Sequence, residues 1–493
     1  MALPLAAAWP LTQASTAPSA DGAKKVLRVS FSSAETSFDP ASINDIYSST
    51  VAAHIFEGLF GYDHLARPVK IKPLLAAAMP EVSADFRVWT IRVRPGVYFQ
   101  DDPAFKGQRR ELVAEDFAYA LRRIVDPVNK SPVATTFVAA AIVGLGELRK
   151  AAQQTRQPFD YNTPIEGLTA LDRHTLRITL AEPRPRLIEI LAQGSKIGAQ
   201  AREVVEFYGA KIGEHPVGTG PFRLKKWVRS SKIVLERNVA YRERYFEGEP
   251  AADDAEGQAI LARMKGKRLP LVDEVEVSII EESQPRWLSF LNGQIDGLLA
   301  TAGPMPPEFA PLAVPNGKLA PHLAKRGVQL FRVPRSDSSY QYFNMNDPVV
   351  GGMTPDKVAL RRAISLAYDV GREIRLARGG QAIPAQGPTV PFTTGYDPAF
   401  KSSMSEYSPA KARALLDMHG YIDRDGDGWR ELPDGKPLKL VFSTEPEQVY
   451  RTFNDIVRRC MTAVGLRVEF ETQKWPAHYK QAQAGTLQIW QLG

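Results

Sequence analysis

Short runs of alternating apolar and polar residues recur along almost the whole chain, and stretches of helical spacing stand between them. The alternating runs at 26–31 (VLRVSF), 88–93 (VWTIRV), 176–180 (LRITL), 272–280, 340–344, 438–442 and 466–470 read as strands. Residues 48–60, with Val51, Ile55, Leu59 and Phe60 on one face, read as a helix, as do 115–124, 360–368, 410–418 and 454–463. Strands and helices that interleave in this way must lay helices on sheets, so the fold class is α/β. The chain has 493 residues; at roughly 100–200 residues per domain it exceeds one such unit.

The connections follow the same logic. Asp39–Pro40 breaks regular structure after the first strand, Pro95–Gly96 ends a strand in a turn, and Gly420 stops a helix. Two strand-like runs, 222–227 and 233–236, are separated by Arg229, Ser230 and Ser231. Residues 247–269 are polar, first acidic and then basic, and read as an exposed insertion; 304–321 read as an irregular connection.

Composition excludes several functions. The net charge of +7 is spread along the chain, and the densest basic cluster, 263–268 (RMKGKR), contains no aromatic residue to stack on a base, so no nucleic-acid partner is expected. The single cysteine, Cys460, rules out an internal disulfide and sits at the spacing of a buried helix face. Residues 1–11 (MALPLAAAWPL) resemble the apolar part of a secretory signal, with Ala14, Ala17 and Ala20 as candidate cleavage positions, but no Lys or Arg precedes them. Residues 1–25 are therefore expected to be a clipped signal or an apolar tail. No run reaches the ~18 apolar residues of a membrane span.

The search for chemistry is mostly negative. No GxSxG elbow, P-loop, GxGxxG fingerprint or HExxH helix occurs, and the seven histidines lack metal-ligand spacing. His54 and Glu57 are expected three apart on one helix, with structural roles. Residues 423–434 (DRDGDGWRELPD) place Asp at positions one, three, five and twelve and Gly at six, the spacing of a calcium loop. Asp434 reaches less far than the usual Glu, Pro433 interrupts any exiting helix, and a strand follows, so an Asp/Gly-rich turn is the preferred reading. No catalytic residue, metal or cofactor is expected.

Ordered blocks along the chain carry a specific resemblance: IFEGLF at 55–60, VWTIRVRPGVYF at 88–99, LVAEDFAYALRRIVDP at 112–127, VGTGPF at 217–222 and IVLERNVAY at 233–241. NGQIDG at 292–297, LRRAISLAYD at 360–369 and SPAKARALLDMHGY at 408–421 continue it. In this order and spacing they resemble the oligopeptide- and dipeptide-binding family of ABC-importer solute-binding proteins, over residues 26–493. Locally, VGTGPF reads as a tight turn whose glycines take conformations that other residues avoid.

The resemblance implies a two-lobed periplasmic binding protein with a third domain inserted in the N-terminal lobe. Residues 26–56 and 187–332 would form lobe I, 57–186 the inserted domain II, and 333–493 lobe III. Ligand would lie between lobes that close by hinge motion. The segment that pairs with the ligand backbone aligns with Asn44, Asp45 and Ile46, and other lining positions with Val133, Phe290, Tyr340, Tyr342, Trp475, Gln491 and Gly493. Tyr340 and Tyr342, two apart in a strand, point to one face. The block TLQIWQLG (486–493) resembles the one that leads to the family's amine-pairing Asp, and the chain ends before that residue, so a truncated chain is expected. Gln491 stands where an oligopeptide binder can carry Arg.

The function implied is capture of a peptide or peptide-like solute in the periplasm and delivery to ABC permease subunits, by a monomer without enzymatic activity. A non-peptide solute (haem, an opine or a sugar derivative) is the alternative within this class. A secreted hydrolase and a periplasmic chaperone are the alternatives outside it.

Overall fold

The computed structural model describes residues 24–155, 157–299, 302–332, 337–391, 393 and 395–492. The expected signal-like stretch through residue 23 and the candidate Gly493 lie outside the described residues.

Three four-stranded sheets organise the chain, each with its own core. The first runs in the order Val26–Phe31, Glu274–Ile279, Lys232–Arg237, Phe222–Val228; its first pair is parallel and the other two are antiparallel. Val29, Phe31, Ile233, Leu235 and Val277 project from one face onto Val51, Ala52 and Ile55 of the Ile46–Ile55 helix. A strand from near residue 26 thus pairs with one near residue 274, which is why the 57–217 stretch between them stands off as a separate unit.

That unit holds the second sheet, Glu81–Val82, Val88–Arg92, Thr175–Thr179, Leu168–Asp172, entirely antiparallel. Its core gathers Trp89, Ile91, Leu176 and Ile178 from the sheet with Phe117, Leu121 and Ile124 from the Ala114–Val125 helix. Asp116 holds the start of that helix by accepting from Val113 N at 2.8 Å while pairing with Arg110 at 2.7 Å. Packing does not stop at residue 186: Leu187, Leu191, Ile197, Val204 and Val217 belong to the same core.

The third sheet runs Tyr340–Phe343, Ile489–Leu492, Lys439–Thr444, Arg467–Thr472, with the last two pairings parallel. The Pro355–Ala367, Pro409–Met418 and Gln448–Thr462 helices cover one face through Leu360, Ile364, Leu416, Ile456 and Cys460. Cys460 is buried, as its helical spacing predicts. A small fourth core, Trp287, Ala313, Ala320 and Leu323, ties the Ser283–Leu291 helix to the irregular 304–321 segment.

Two local expectations change. The helix expected over 48–60 is Ile46–Ile55; the chain turns extended at Phe56 and re-enters as a strand at Phe60–Tyr62. His54 and Glu57 therefore do not share a helix. Glu57 is buried and receives two bonds from Arg242, at 2.6 and 2.9 Å, and one from Tyr241 at 3.1 Å. The glycines of VGTGPF are needed for space rather than for turn geometry: a Cβ on Gly218 would stand 2.0 Å from Ile55 O, and Gly220 N donates to that same oxygen at 2.8 Å. The polar 247–269 segment contains one helix, Ala255–Met264, and is largely exposed.

Candidate functional site where the three units meet

Pairing register separates the two faces of the third sheet. Phe343, Ile489 and Phe442 enter the core. Their neighbours Tyr342, Trp490 and Ser443, paired with one another across the strands, must project from the opposite face. Tyr340 and Leu492 continue this second face. It is not bare, because the Trp475–Gln483 helix packs over it. Trp475 and His478 lie 6.0 and 5.8 Å from the Trp490 ring, and Tyr479 stacks on Trp475 at 4.8 Å with the planes 11° apart. His478 is fully buried with both ring nitrogens engaged, on Thr444 O at 2.8 Å and Gln481 Oε1 at 3.1 Å.

At the carboxyl end of the Lys439–Thr444 strand the chain reads Glu445, Pro446, Glu447 before the Gln448–Thr462 helix. Glu445 is 4% exposed; one oxygen accepts from Trp490 Nε1 at 3.2 Å, and the other has no hydrogen-bond partner of good geometry. Burial raises its pKa. Glu447 stands at the N-cap of the helix but does not cap it, and one of its oxygens is buried and unpartnered. Burial, followed by the charges of these two glutamates, pushes the Tyr450 phenol far up.

The first unit faces this corner through the start of the Ile46–Ile55 helix. Tyr47 bonds Ser32 at 3.1 Å and packs on Phe31 at 5.6 Å. Its phenol is raised by burial and by the charges of Glu447 and Asp45, and it feels Arg286 in the opposite sense. Arg286, 4% exposed, donates to Ile280 O and Glu281 O and leaves Nε buried without a partner. The second unit contributes Pro132, whose carbonyl accepts from Tyr479 at 3.2 Å, beside Val133 and next to Ser131, whose buried hydroxyl is unpartnered.

The expected site residues fall into groups. Val133, Trp475, Tyr342 and the strand bearing Gln491 are brought together through Tyr479 and Trp490. Asn44 is half-buried next to Ile43, whose carbonyl accepts from Lys196 at 2.7 Å. Asp45 is the helix N-cap, with its carboxylate taken by Ser48 N, Ser48 Oγ and Thr36 Oγ1 at 2.7, 2.8 and 2.5 Å, and Ile46 is the exposed first helical residue. Phe290 packs into the small fourth core 5.8 Å from Trp287, and Tyr340 is 57% exposed at the sheet edge.

Glu445, Glu447, Tyr47, Tyr450 and Tyr479 escape reading from the sequence. The available signal was a pair of acids flanking Pro446 immediately after a strand, since ligands in open sheets gather at the carboxyl ends of strands. Elsewhere, a groove of about 480 Å³ in the second unit is lined by Arg110, Asp116 and Arg122, whose charges are already paired within the protein. In the acidic loop, Asp423, Asp425, Asp427 and Glu431 each bring one oxygen within 4.8 Å of the others. Asp434, expected at position twelve, instead pairs with Lys436 at 2.8 Å. Among the described residues no helix is long and apolar enough to cross a membrane.

Separate sheet units that meet at one corner make up the fold of two-lobed periplasmic binding proteins. Solved structures agree. DppA of Helicobacter pylori, in complex with peptide STSA, superposes with a TM-score of 0.69 at 22% identity, covering 95% of this chain and 78% of that one. The murein tripeptide binding protein MppA of Escherichia coli gives 0.70 at 22% identity, covering 96% and 79%. Residues 70–493 match the family described as "Bacterial extracellular solute-binding proteins, family 5 Middle", and the chain belongs to this family. The glutathione-binding protein GsiB of Pectobacterium atrosepticum is 26% identical over 387 residues, which make up 78% of this chain and 59% of that protein. The di/tripeptide-binding protein 2 of Pseudomonas aeruginosa is 24% identical over 472 residues, 94% of this chain and 74% of the relative. These relatives are named as binding proteins, not as enzymes.

Proposed function

We propose that this protein captures a peptide or peptide-like solute in the periplasm, as a monomer, and delivers it to the permease subunits of an ABC transporter. The observation that carries the reading is the junction at Tyr479. One helix of the third unit presents stacked Trp475 and Tyr479 and also bonds the second unit at Pro132. A solute held there would touch apolar ring faces and a few fixed polar groups, the usual make-up of a small-molecule site. Family membership and relatives named for glutathione and for di- and tripeptides support the same reading.

In this proposal Asn44, Asp45, Ile46, Val133, Phe290, Tyr340, Tyr342, Trp475, Gln491 and Gly493 line the path of the ligand. The expected division is lobe I at 26–56 and 187–332, the inserted domain at 57–186 and lobe III the rest; the core shared by Leu187 through Val217 favours extending the inserted domain to about residue 217. Native mass spectrometry of freshly purified protein, followed by calorimetry with di- and tripeptides and glutathione, tests the reading. A bound peptide-sized mass and saturable heats are expected. Absence of both, with no ligand-dependent compaction in small-angle scattering, would overturn it.

A further inference from the structure

Buried carboxylates are normally paired or fully hydrogen-bonded, because taking an anion out of water costs several kcal/mol. Glu445 and Glu447 depart from that rule together. Glu445 is 4% exposed, and beyond Trp490 its one neighbouring donor is the Tyr450 phenol, which makes no well-directed bond to the second oxygen; Glu447 has one buried, unpartnered oxygen and ignores the helix start on which it sits. Among the described residues neither carboxylate forms an ion pair, although the chain carries 62 Lys and Arg and makes such pairs freely elsewhere. His478, the nearby imidazole, has both nitrogens engaged.

The surroundings are aromatic. Trp490 donates to Glu445, Trp475 and His478 pack on the Trp490 ring, the Tyr450 phenol feels both acids, and the Tyr47 phenol of the first unit feels Glu447. Two carboxylates among aromatic rings form a receptor for a cation, through charge-assisted bonds on the acids and attraction to the ring faces. A neutral or anionic group would leave both acids uncompensated.

We propose that Glu445 and Glu447 receive a cationic group of the solute, an ammonium or guanidinium, and so select positively charged ligands. The assignment rests on the solute-binding reading above and deepens it. Glu445 supplies the buried contact and Glu447 the one nearer the boundary with the first unit, where Tyr47 closes the corner. The two carboxylates belong to the 445–447 turn, and Trp490 of the neighbouring 489–492 strand holds one of them in place.

The test is calorimetry on the whole protein with Ala-Lys-Ala, Ala-norleucine-Ala, the N-acetyl form of each, and putrescine. Wild type is compared with Glu445→Gln, which keeps an acceptor for Trp490, and with Glu447→Gln, which disturbs no bond if the first variant fails to fold. Removing the docked charge from the probe should weaken wild-type binding by about 30-fold or more, as loss of one partner of a buried charge pair does. In the Gln variants that penalty should shrink to about threefold or less. Peptides that bind wild type and variants alike, whatever their charge, overturn the receptor and leave the binding function standing. Putrescine binding that Glu445→Gln abolishes, with no peptide binding, upholds the receptor and overturns the peptide reading. No heat from any probe overturns both.

Discussion

The Tyr479 hydroxyl donates to the Pro132 carbonyl across 3.2 Å, joining residues 347 positions apart in the chain and in different units. Tyr479 reaches it from a helix anchored by the buried His478, so the third unit presents a fixed donor to the second. A single neutral hydrogen bond contributes about 1 kcal/mol, enough to shift a two-state closure by about fivefold. Tyr479→Phe should therefore enlarge the ligand-free radius of gyration in small-angle scattering while leaving the melting temperature nearly unchanged. An unchanged scattering profile would show that this bond does not hold the units together.

Asp39 and Arg123 form a second bond between units, fully buried and two-pronged at 2.7 and 3.0 Å. Truncating either partner strands a charge inside the protein, and Asp39→Ala or Arg123→Ala should each cost about 3–5 kcal/mol in denaturant unfolding. The Asp39→Leu/Arg123→Met double variant removes both charges and should recover much of that loss. A loss below about 1 kcal/mol in the single variants would mean that water reaches the pair.

Lys196 lies beside the expected ligand-facing segment, its ammonium donating to Ile43 O. Desolvation brings its pKa from 10.5 down to about 8, with Asp45 opposing weakly. The sign follows from which state holds the proton. Below pH ~8 both states are charged and the folded state bears the penalty; between about 8 and 10.5 only the unfolded state keeps the proton, so stability from this group rises with pH. Competitive acylation of Lys196, followed by mass spectrometry from pH 6 to 11, should give a midpoint near 8. A midpoint near the ordinary ~10.4 refutes it.

In the acidic loop the carboxylates already serve the backbone. Asp423 accepts from Gly426 N at 2.7 Å and Gly428 N at 2.9 Å, and Asp427 from Trp429 N at 2.8 Å. Calcium should leave the melting temperature unchanged, and Asp423→Ala should lower stability by about 1–2 kcal/mol with or without calcium. Calcium-dependent stabilisation approaching ~2.7 kcal/mol at a hundredfold excess over Kd, lost in Asp425→Ala, would favour the metal instead.

Much of the fold was legible from periodicity alone. The strand at 88–92 and the helix at 409–418 bury the faces that their alternation or helical spacing marks, whereas the helix at 114–125 is buried on almost every side, Arg122 and Arg123 included. Their boundaries were less legible where a neighbour decides them. Nothing local ends a helix at Ile55; it ends because its last carbonyls meet Gly218 and Gly220, residues whose missing side chains let another segment approach. Glu57 looked like a helix neighbour of His54 until Arg242, far along the chain, claimed it.

The site divides in the same way. Residue order by itself determined the α/β class, the family resemblance, the buried Cys460 and the shared face of Tyr340 and Tyr342, because each follows from local spacing or from ordered blocks. Only the tertiary structure decided that Asp45 spends its carboxylate on a helix cap, that Phe290 packs in a core, and that Tyr479 reaches Pro132. It also decided that Glu445 is buried against Trp490 and the Tyr450 phenol. The physical reason is that desolvation and pairing depend on which atoms arrive from distant parts of the chain. A glutamate after a strand reads the same in sequence whether water or Trp490 surrounds it.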